Sequence, residues 1–363
     1  MSAPSARLAR PLAALAALLL LAPLAGCGHE RPGRAADLRP GKGSPAATLR
    51  LGYFANVTHA PALVGVGKGF LAKDLGRTRL QTQVFNAGPA AIEALNAGAL
   101  DAAYVGPNPA VNAFVRSDGA AIRIVSGVTS GGAQLVVRPG IRSASDLKGK
   151  NLASPQLGGT QDVALRTWLS RHGLRSSPSG GGDVTISPTE NAQTLELFRA
   201  GKLDGAWLPE PWASRLVLEA GARVLVDERS LWPGGRFPTT LLIVSTRFLE
   251  RHPQTVEALL RANLDSIDWI NAHRAEAQRV VNAQVAAASG KPLSERVVAR
   301  AFAGIALSTD PLAATLPRLL SDGVAAGVTR RASLTGIYDL RLLNKVLEEK
   351  GRPPASAAGL GEE

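Results

Sequence analysis

The segment "LELFRAGKLDGAWLPEPW" (residues 195–212) decides the fold, because a similar segment occurs earlier in the chain. The earlier copy is "IEALNAGALDAAYVGPNP" (residues 92–109), and the two align when Asp101 is placed opposite Asp204. In both copies a helical stretch with spaced apolar residues ends at Ala–Gly, and a strand pattern then begins at Leu–Asp. The repeat therefore predicts two similar α/β units, or lobes, within one chain.

Strand candidates alternate with helix candidates through the first two thirds of the globular part. This alternation is typical of βαβ units in a mostly parallel sheet, so we predict an α/β fold. After Ser245 the pattern becomes mostly helical. The strand candidates are "TLRLGYF", "LQTQVFN", "LDAAYVG", "IRIVSGV", "AQLVVRP", the end of "SDLKGKNLASP", "DVTISP", "LDGAWLP", "ARVLVDE" and "TTLLIVS".

The composition excludes several classes of protein. The only cysteine in 363 residues is Cys27, so a disulfide framework or a cysteine-based metal cluster is not possible. The five histidines form no metal-binding spacing, and we expect neither a metal nor a cofactor. The net charge of +12 invites a nucleic-acid interpretation, but the basic residues are scattered and do not interleave with aromatics. We therefore expect no nucleic-acid partner.

The N-terminal segment is typical of export and anchoring. Arg7 and Arg10 precede an apolar run that is too short to span a membrane, which fits a signal peptide over residues 1–26. The run ends in "LAGC", which resembles the lipobox of bacterial lipoproteins, with Cys27 as the lipidated residue. Residues 27–47 are rich in Gly, Pro and charge, so we predict a flexible tether between a lipid anchor and the body.

Loops at the ends of the predicted strands supply the candidate ligand site. In open parallel sheets, ligands bind beyond the carboxyl ends of the strands, so the loops of both lobes should face one cleft. A structural role remains an alternative for each residue taken singly. The candidates are Asn56, Thr58, His59, Asn108, Thr129, Ser130, Gln156, Gly159, Thr160, Gln161, Trp207 and Glu210.

The loop "SPQLGGTQDVAL" (residues 154–165) is the candidate anion site. It places Gly-Gly and Thr160 at the start of a helix, where free N–H groups and the positive end of the helix dipole attract anions. The alternative is that the glycines only make a turn and Thr160 only caps the helix.

No catalytic motif competes with a binding function. "GVGKGF" (residues 65–70) fits neither nucleotide-binding pattern and falls within a helix, and there is no GxSxG segment. Glu210, held between two prolines, is the candidate acid if the chain were an enzyme on the same fold, but no nucleophile–base pair accompanies it. We predict that the protein is not an enzyme.

These segments together resemble a known family. "HAPALVGVGKGF", the two repeat copies, "DLKGKNLASPQLGGTQDVALR" and the lipobox are similar to the solute-binding lipoproteins of nitrate, sulfonate and taurine ABC transporters. The resemblance covers about residues 48–330, and the aliphatic-sulfonate-binding proteins are the most similar in pattern.

The resemblance implies a periplasmic-binding-protein fold, type II-like, with two α/β lobes, a ligand cleft and two crossover segments. The crossovers would fall near residues 137–141 and 236–240. Lobe one would then comprise residues 48–138 and 239–350, including the C-terminal helices, and lobe two residues 139–238. Residues 351–363 would form a flexible tail.

The family also implies a function and partners. Its members capture a small solute and deliver it to a permease and its ATPase, and the monomer is the expected state. A sulfonate or taurine-type anion is the ligand that the resemblance favours. Nitrate, bicarbonate, a pyrimidine vitamin precursor and a ligand-sensing lipoprotein role remain alternatives. The expected location is outside the cell membrane, held by the lipid.

Overall fold

The computed structural model of the chain describes residues 43–363. The predicted signal peptide, the lipidation of Cys27 and most of the predicted tether lie outside the described residues. The strands are β1 (Thr48–Phe54), β2 (Arg79–Phe85), β3 (Ala102–Val105), β4 (Ile122–Gly131), β5 (Ala133–Val137), β6 (Asn151–Ser154), β7 (Thr185–Pro188), β8 (Gly205–Pro209), β9 (Arg223–Asp227), β10 (Pro238–Ser245), β11 (Ile305–Leu307), β12 (Tyr338–Asp339) and β13 (Gly361–Glu362).

The helices follow or connect these strands. They are α1 (Ala60–Gly67), α2 (Phe70–Leu75), α3 (Gly88–Asn96), α4 (Pro107–Arg116), α5 (Thr160–Arg171), α6 (Asn191–Arg199), α7 (Trp212–Ala220), α8 (Thr246–Arg251), α9 (Pro253–Ala272), α10 (Arg274–Ser289), α11 (Glu295–Ala303), α12 (Leu316–Ala325) and α13 (Arg341–Glu349).

The strands form two separate sheets, which define two lobes. The sheet of lobe one has the order β13-β12-β4-β10-β3-β1-β2, with β11 paired to β4, and the sheet of lobe two has the order β7-β6-β8-β5-β9. Strands β1, β2 and β3 pair in parallel, and so do β6, β7 and β8. Lobe two buries apolar clusters around Trp207 and around Phe198, and a larger core fills lobe one.

Both sheets are mixed, which differs from the mostly parallel sheet that we predicted. Strand β10 runs antiparallel to β3 and β4, and β5 runs antiparallel to β8 and β9. These two strands carry the chain into a lobe from the other lobe. Because such a strand enters its sheet from the side of the cleft, it runs antiparallel to the strands of the βαβ units.

The first crossover lies at Gly131 and Gly132, and not at residues 137–141. Strand β5 therefore belongs to lobe two, whereas we placed it in lobe one. Both glycines have φ near +75°, at 77° and 74° respectively. A Cβ at Gly131 would lie 2.6 Å from Gly304 O, so close backbone contact also requires glycine there.

The second crossover covers the residues between β9 and β10 and contains short 3-10 turns at Glu228–Leu231 and Pro233–Gly235. We expected it near residues 236–240, a range that overlaps the start of β10. Beyond β10 the chain is mostly helical, as predicted. Helix α9 packs against α1, α2 and α13 on lobe one, whereas α11 and α12 also contact lobe two through α7 and α5.

The repeated segments occupy equivalent places in the two lobes. Asp101 accepts a hydrogen bond from Arg50 N at 2.9 Å, and Asp204 accepts one from Asn151 N at 2.9 Å. Asp101 thus ties the start of β3 to β1, and Asp204 ties the start of β8 to the start of β6. The Leu–Asp motif is repeated because both lobes need this acceptor at the same point.

Two segments that we predicted to be flexible contact the body. Ala46, within the predicted tether, is buried and donates its N–H to Thr255 Oγ1 at 2.8 Å. At the other end, residues 351–363 contain β13, which pairs with β12, and Ala357 is fully buried. The composition of the last residues indicated flexibility, but a short strand pairing and an apolar contact hold them.

Candidate functional site

A cavity lies between the lobes, at the carboxyl ends of β1, β3, β6 and β8. Its volume is about 420 Å³, including the part that is open to solvent, and we call it the main cavity. Its lining residues are Phe54, Asn56, Thr58, His59, Asn86, Ala87, Gly88, Gly106, Pro109 and Thr239 from lobe one, and Pro155, Gln156, Gly159, Thr160, Gln161, Asn191 and Pro209 from lobe two.

The main cavity is polar but contains no ionised side chain. Its polar lining consists of amides, hydroxyls and one imidazole, and none of the lining residues is Asp, Glu, Lys or Arg. Burial lowers the pKa of His59 to about 3, so its ring is neutral at ordinary pH. A ligand in this cavity therefore meets hydrogen bonds and dipoles without a full counter-charge.

Several helices point their N-termini into the main cavity. Gly88 begins α3, Gly106 precedes α4, Thr160 begins α5 and Asn191 begins α6. No side-chain hydrogen bond caps the N-terminus of any of these four helices. Prolines remove part of the first-turn N–H groups of α3 and α4, whereas those of α5 and α6 are present and lack capping partners, and the positive ends of all four dipoles add to a positive potential at the cavity.

Two buried polar atoms at these N-termini lack partners. Thr160 Oγ1 and Asn191 Oδ1 make no hydrogen bond with the described residues, although each residue is only 5% exposed. A buried polar group without a partner costs free energy, so such groups mark places where a ligand or water is expected.

His59 and Asn56 are oriented by hydrogen bonds that leave a donor free. Phe54 N donates to His59 Nδ1 at 3.3 Å, so the ring proton resides on Nε2. Trp212 of lobe two donates its Nε1–H across the cleft to Asn56 Oδ1 at 2.9 Å, which fixes the amide with Nδ2 as a free donor. Both side chains therefore present N–H donors.

Thr58 connects the cavity to the crossover strands. Its carbonyl oxygen accepts hydrogen bonds from Thr129 Oγ1 at 2.7 Å and from Thr240 Oγ1 at 2.9 Å. Its N–H donates to Glu210 O of lobe two at 3.4 Å. Thr129, a candidate from the sequence, does not line the main cavity but holds Thr58, which does.

Glu210 also lies outside the lining of the main cavity. Its side chain accepts a hydrogen bond from Ser214 N at 3.0 Å and one from Arg300 Nη1 at 3.0 Å. Burial raises the pKa of Glu210, and the bonds from Ser214 and Arg300 oppose that rise. The residue thus joins the loop before α7 to helix α11.

Trp207, Ser130 and Asn108 are the remaining candidates that do not line the main cavity. Trp207 is fully buried and donates Nε1–H to Glu228 Oε2 at 2.8 Å. Ser130 Oγ accepts the N–H of Phe237 at 3.2 Å. Asn108 donates its Nδ2–H to Leu319 O at 3.2 Å, its Oδ1 has no partner among the described residues, and the residue lines a smaller neighbouring cavity.

That smaller side cavity has a volume of about 350 Å³, including space that is open to solvent, and shares Thr160 with the main cavity. It contains Glu228, which is 2% exposed. Burial raises the pKa of Glu228 to about 7, and the hydrogen bond from Trp207 opposes the rise. Arg318, which also lines the side cavity, lies over the ring of Trp232 at 3.8 Å.

A second cavity, which we call the outer cavity, adjoins the main cavity. It has a volume of about 1010 Å³, including open space, and shares Pro109 and Gln156 with the main cavity. Its apolar lining includes Ile92, Leu157 and Val328, and Leu157 is one of the few large apolar side chains that are exposed.

The sequence analysis missed three polar lining residues, Asn86, Asn191 and Thr239, and the last of these lies within β10. Asn86 directly follows β2, and Asn191 follows β7, so both obey the rule that placed the other candidates. Applying that rule to every strand end, including these two polar strands, would have found Asn86 and Asn191.

The described residues contain neither a metal-binding group nor a membrane-spanning helix. Within residues 43–363, no three or more His, Cys, Asp or Glu side chains are grouped so that they could hold a metal ion. In the same part of the chain, every helix is too short or too polar to cross a membrane.

Comparison with known proteins identifies the fold. The alkanesulfonate-binding protein of Xanthomonas axonopodis pv. citri, solved bound to MOPS, matches with a TM-score of 0.66 and 25% identity over 79% of this chain and 96% of its own. The nitrate-binding protein of Synechocystis PCC 6803 matches with a TM-score of 0.64 and 17% identity over 79% of this chain and 83% of its own. The two lobes and their cleft are thus a periplasmic-binding-protein fold.

The family follows from the sequence. The profile of the NMT1-like family matches residues 42–287, and the chain belongs to that family. The taurine-binding periplasmic protein of Escherichia coli (strain K12) is 25% identical over 207 residues, which are 57% of this chain. This match spans 62% of that relative's own length. The family and fold class predicted from the sequence are confirmed.

Proposed function

We propose that this protein is the extracytoplasmic solute-binding component of an ABC importer and captures a small anion between its lobes. The observation that carries the proposal is the main cavity itself. Four uncapped helix N-termini converge on it, and no charged side chain lines it. Such a cavity stabilises a negative charge through dipoles and N–H groups and offers nothing to balance a cation.

An aliphatic sulfonate is the anion that we infer. Its three oxygens accept hydrogen bonds from several directions, which suits donors contributed by both lobes. Its organic substituent needs an apolar exit, and the outer cavity with Ile92 and Leu157 adjoins the main one. Nitrate and bicarbonate have no such substituent and would leave the outer cavity unused. The names of the alkanesulfonate- and taurine-binding relatives agree with this choice.

Taurine should bind less well than an uncharged-tail sulfonate. Its ammonium group needs an acceptor with negative charge, and no carboxylate lines the main cavity. Glu93 is the only acidic side chain among the lining residues of the outer cavity, and it is exposed to solvent, where an ion pair contributes little.

Binding of the ligand is proposed to involve the residues that line the cavity from both sides. Asn56, His59 and Thr58 would contact it from lobe one, and Thr160 and Gln161 from lobe two. A ligand that touches both lobes favours the closed state, because these contacts form together only when the lobes approach.

Isothermal calorimetry tests the ligand class directly. We expect butanesulfonate to bind more tightly than taurine, nitrate, bicarbonate or a pyrimidine. The double variant T160V/Q161L should weaken butanesulfonate binding at least about tenfold, since two donors are lost. The control T185V changes an exposed threonine of the same lobe and should bind as the wild type does. If none of the panel binds to the wild type, the proposed function is wrong.

Membrane anchoring through Cys27 is part of the same proposal. The sequence before Cys27 resembles a lipobox, and the body carries the fold of extracytoplasmic binding proteins. The variant C27S should appear in the soluble extracytoplasmic fraction, while the wild type remains with membranes. Continued membrane association of C27S would refute the anchor and leave the binding proposal intact.

A further inference from the structure

The backbone conformation of Gly106, the N-cap residue of α4, does not require glycine. It precedes α4 with φ −71° and ψ 159°, which is extended backbone open to any residue. Gly106 also lies in the lining of the main cavity, at the end of β3. Its missing side chain must therefore be explained by what surrounds it.

The opposite lobe occupies the place of the missing side chain. A Cβ at Gly106 would lie 2.3 Å from Thr160 Oγ1 and 3.2 Å from Thr160 Cβ, both in lobe two. The nearest atom of its own lobe is Thr239 O, at an ordinary contact distance of 3.6 Å. Lobe one alone would therefore accept a methyl group at this position, whereas the closed pair of lobes would not.

We propose that Gly106 is the residue that permits full closure of the lobes over the ligand. Because Gly106 has no side chain, the N-terminus of α5 can pack against the N-terminus of α4, and this contact brings Thr160 to the main cavity. This inference rests on the proposed binding function and assigns Gly106 a positioning role. It acts through Thr160 and the approach of the lobes, without contributing a side-chain contact.

The closure contact is specific to the interface between the lobes. The bond across the cleft from Trp212 to Asn56, at 2.9 Å, joins two side chains that can adjust. The contact at Gly106 joins a backbone atom to a residue in the first turn of a helix. A methyl group there would act as a wedge, because packed backbone segments yield little.

A methyl group at position 106 should hinder closure of the lobes and leave each lobe folded. In G106A the open state carries no clash, so the free energy of unfolding of the ligand-free protein should stay close to the wild-type value. The closed state becomes less populated, and the apparent affinity falls in proportion to the lost closed fraction. We expect butanesulfonate to bind G106A about ten- to a hundredfold more weakly than the wild type.

The matched control is G140A. A Cβ at Gly140 would have no atom within 4 Å, and the residue has no positive φ, so a methyl group there is harmless. Closure is read by fluorescence energy transfer between dyes on A99C and K202C in a C27S background. These two exposed positions are equivalent in the repeat and lie on different lobes. Ligand should shift the transfer efficiency in G140A and shift it less in G106A.

The T160A background distinguishes a steric clash at position 106 from a general loss of binding. In T160A the closest atom to a Cβ at position 106 is removed, and only Thr160 Cβ at 3.2 Å remains. T160A weakens binding on its own, but adding G106A to it should cost less than about threefold. Equal affinities of G106A and wild type, or the same loss from G106A in both backgrounds, would overturn the inference alone. Absence of binding in wild type and G140A would overturn the proposed function together with it.

Discussion

Arg300 in helix α11 donates a hydrogen bond to the carboxylate of Glu210 at 3.0 Å and so links the C-terminal helices to lobe two. The same guanidinium donates to Ser214 Oγ at 2.7 Å and to Gln134 Oε1 at 2.7 Å. Glu210 is 1% exposed, whereas the Arg300 side chain keeps 26% of its surface. One arginine therefore compensates a buried charge near the first crossover.

Removal of this arginine should destabilise the protein in a pH-dependent way. R300M leaves Glu210 buried with Ser214 N as its remaining partner, and we expect a loss of about 2–3 kcal/mol at pH 7. Burial already raises the pKa of Glu210, and the loss of Arg300 raises it further. A raised folded-state pKa means that ionisation opposes folding, so the deficit should shrink as pH falls to 5.

Urea unfolding of wild type and R300M at both pH values measures this deficit. The double variant E210Q/R300M serves as the control, because glutamine has no charge to compensate. It should recover part of the stability lost in R300M. A deficit of equal size at pH 5 and pH 7 would show that packing of the arginine, and not its charge, is responsible.

Ionisation of the buried Glu228 should make the free energy of unfolding depend on pH in a second way. Its pKa is raised from 4.5 to about 7 by burial, so the ionised form is disfavoured in the folded state. The free energy of unfolding should therefore fall as pH rises from 4.5 through 7, by up to about 3 kcal/mol. E228Q keeps an oxygen that can accept the Trp207 N–H and should lack this dependence.

Chemical unfolding of wild type and E228Q between pH 5 and pH 8 makes the comparison. The two proteins should differ in slope against pH, with E228Q more stable than wild type at pH 8. Parallel curves would mean that Glu228 does not change its ionisation in this range.

Asp101 and Asp204 should differ in the stability that they contribute, although they are equivalent in the repeat. Asp101 also accepts from the Arg50 side chain, with Nη2 to Oδ1 at 2.5 Å, whereas within residues 43–363 the Asp204 side chain accepts only from Asn151 N. We expect D101A to lose about 2–3 kcal/mol and D204A about 1–2 kcal/mol. Thermal unfolding of both variants decides this, and a larger loss in D204A would contradict the account.

The sequence predicted the parts of the structure that depend on local pattern. Alternating strands and helices indicated the two lobes, and strand ends located the loops with Asn56, His59, Gln156 and Thr160, which line the main cavity. These features are recoverable because periodicity, helix starts and the rule for strand ends are properties of short segments.

The features that the sequence did not predict depend on contacts between distant residues. The partner of Glu210 lies 90 residues away, and nothing near Pro-Glu-Pro indicates Arg300. Trp207 is the middle residue of β8, and a shift of one residue in register decides whether such a side chain is buried in the core or faces the other way. The lobe of β5 depends on how Gly131 and Gly132 direct the chain, which no strand pattern encodes.

The charge of the ligand has a direct test at Gln161. This side chain lines the main cavity in the first turn of α5, and Q161E replaces its amide by a carboxylate of the same size. A negative charge about 4–5 Å from a bound anion costs roughly 3–4 kcal/mol near a protein surface, which corresponds to at least about a hundredfold in affinity.

The pH dependence of Q161E completes this test. Burial keeps His59 neutral, with its pKa at about 3, so its ring adds no pH dependence to wild-type affinity between pH 5.5 and pH 8, and Glu228 of the adjacent side cavity sets the wild-type baseline in this range. Q161E should bind very weakly at pH 8 and recover affinity as its new carboxyl group protonates on acidification. Calorimetry at both pH values measures the two proteins in parallel. If Q161E matches the wild type at pH 8, the ligand does not carry its negative charge at the N-terminus of α5.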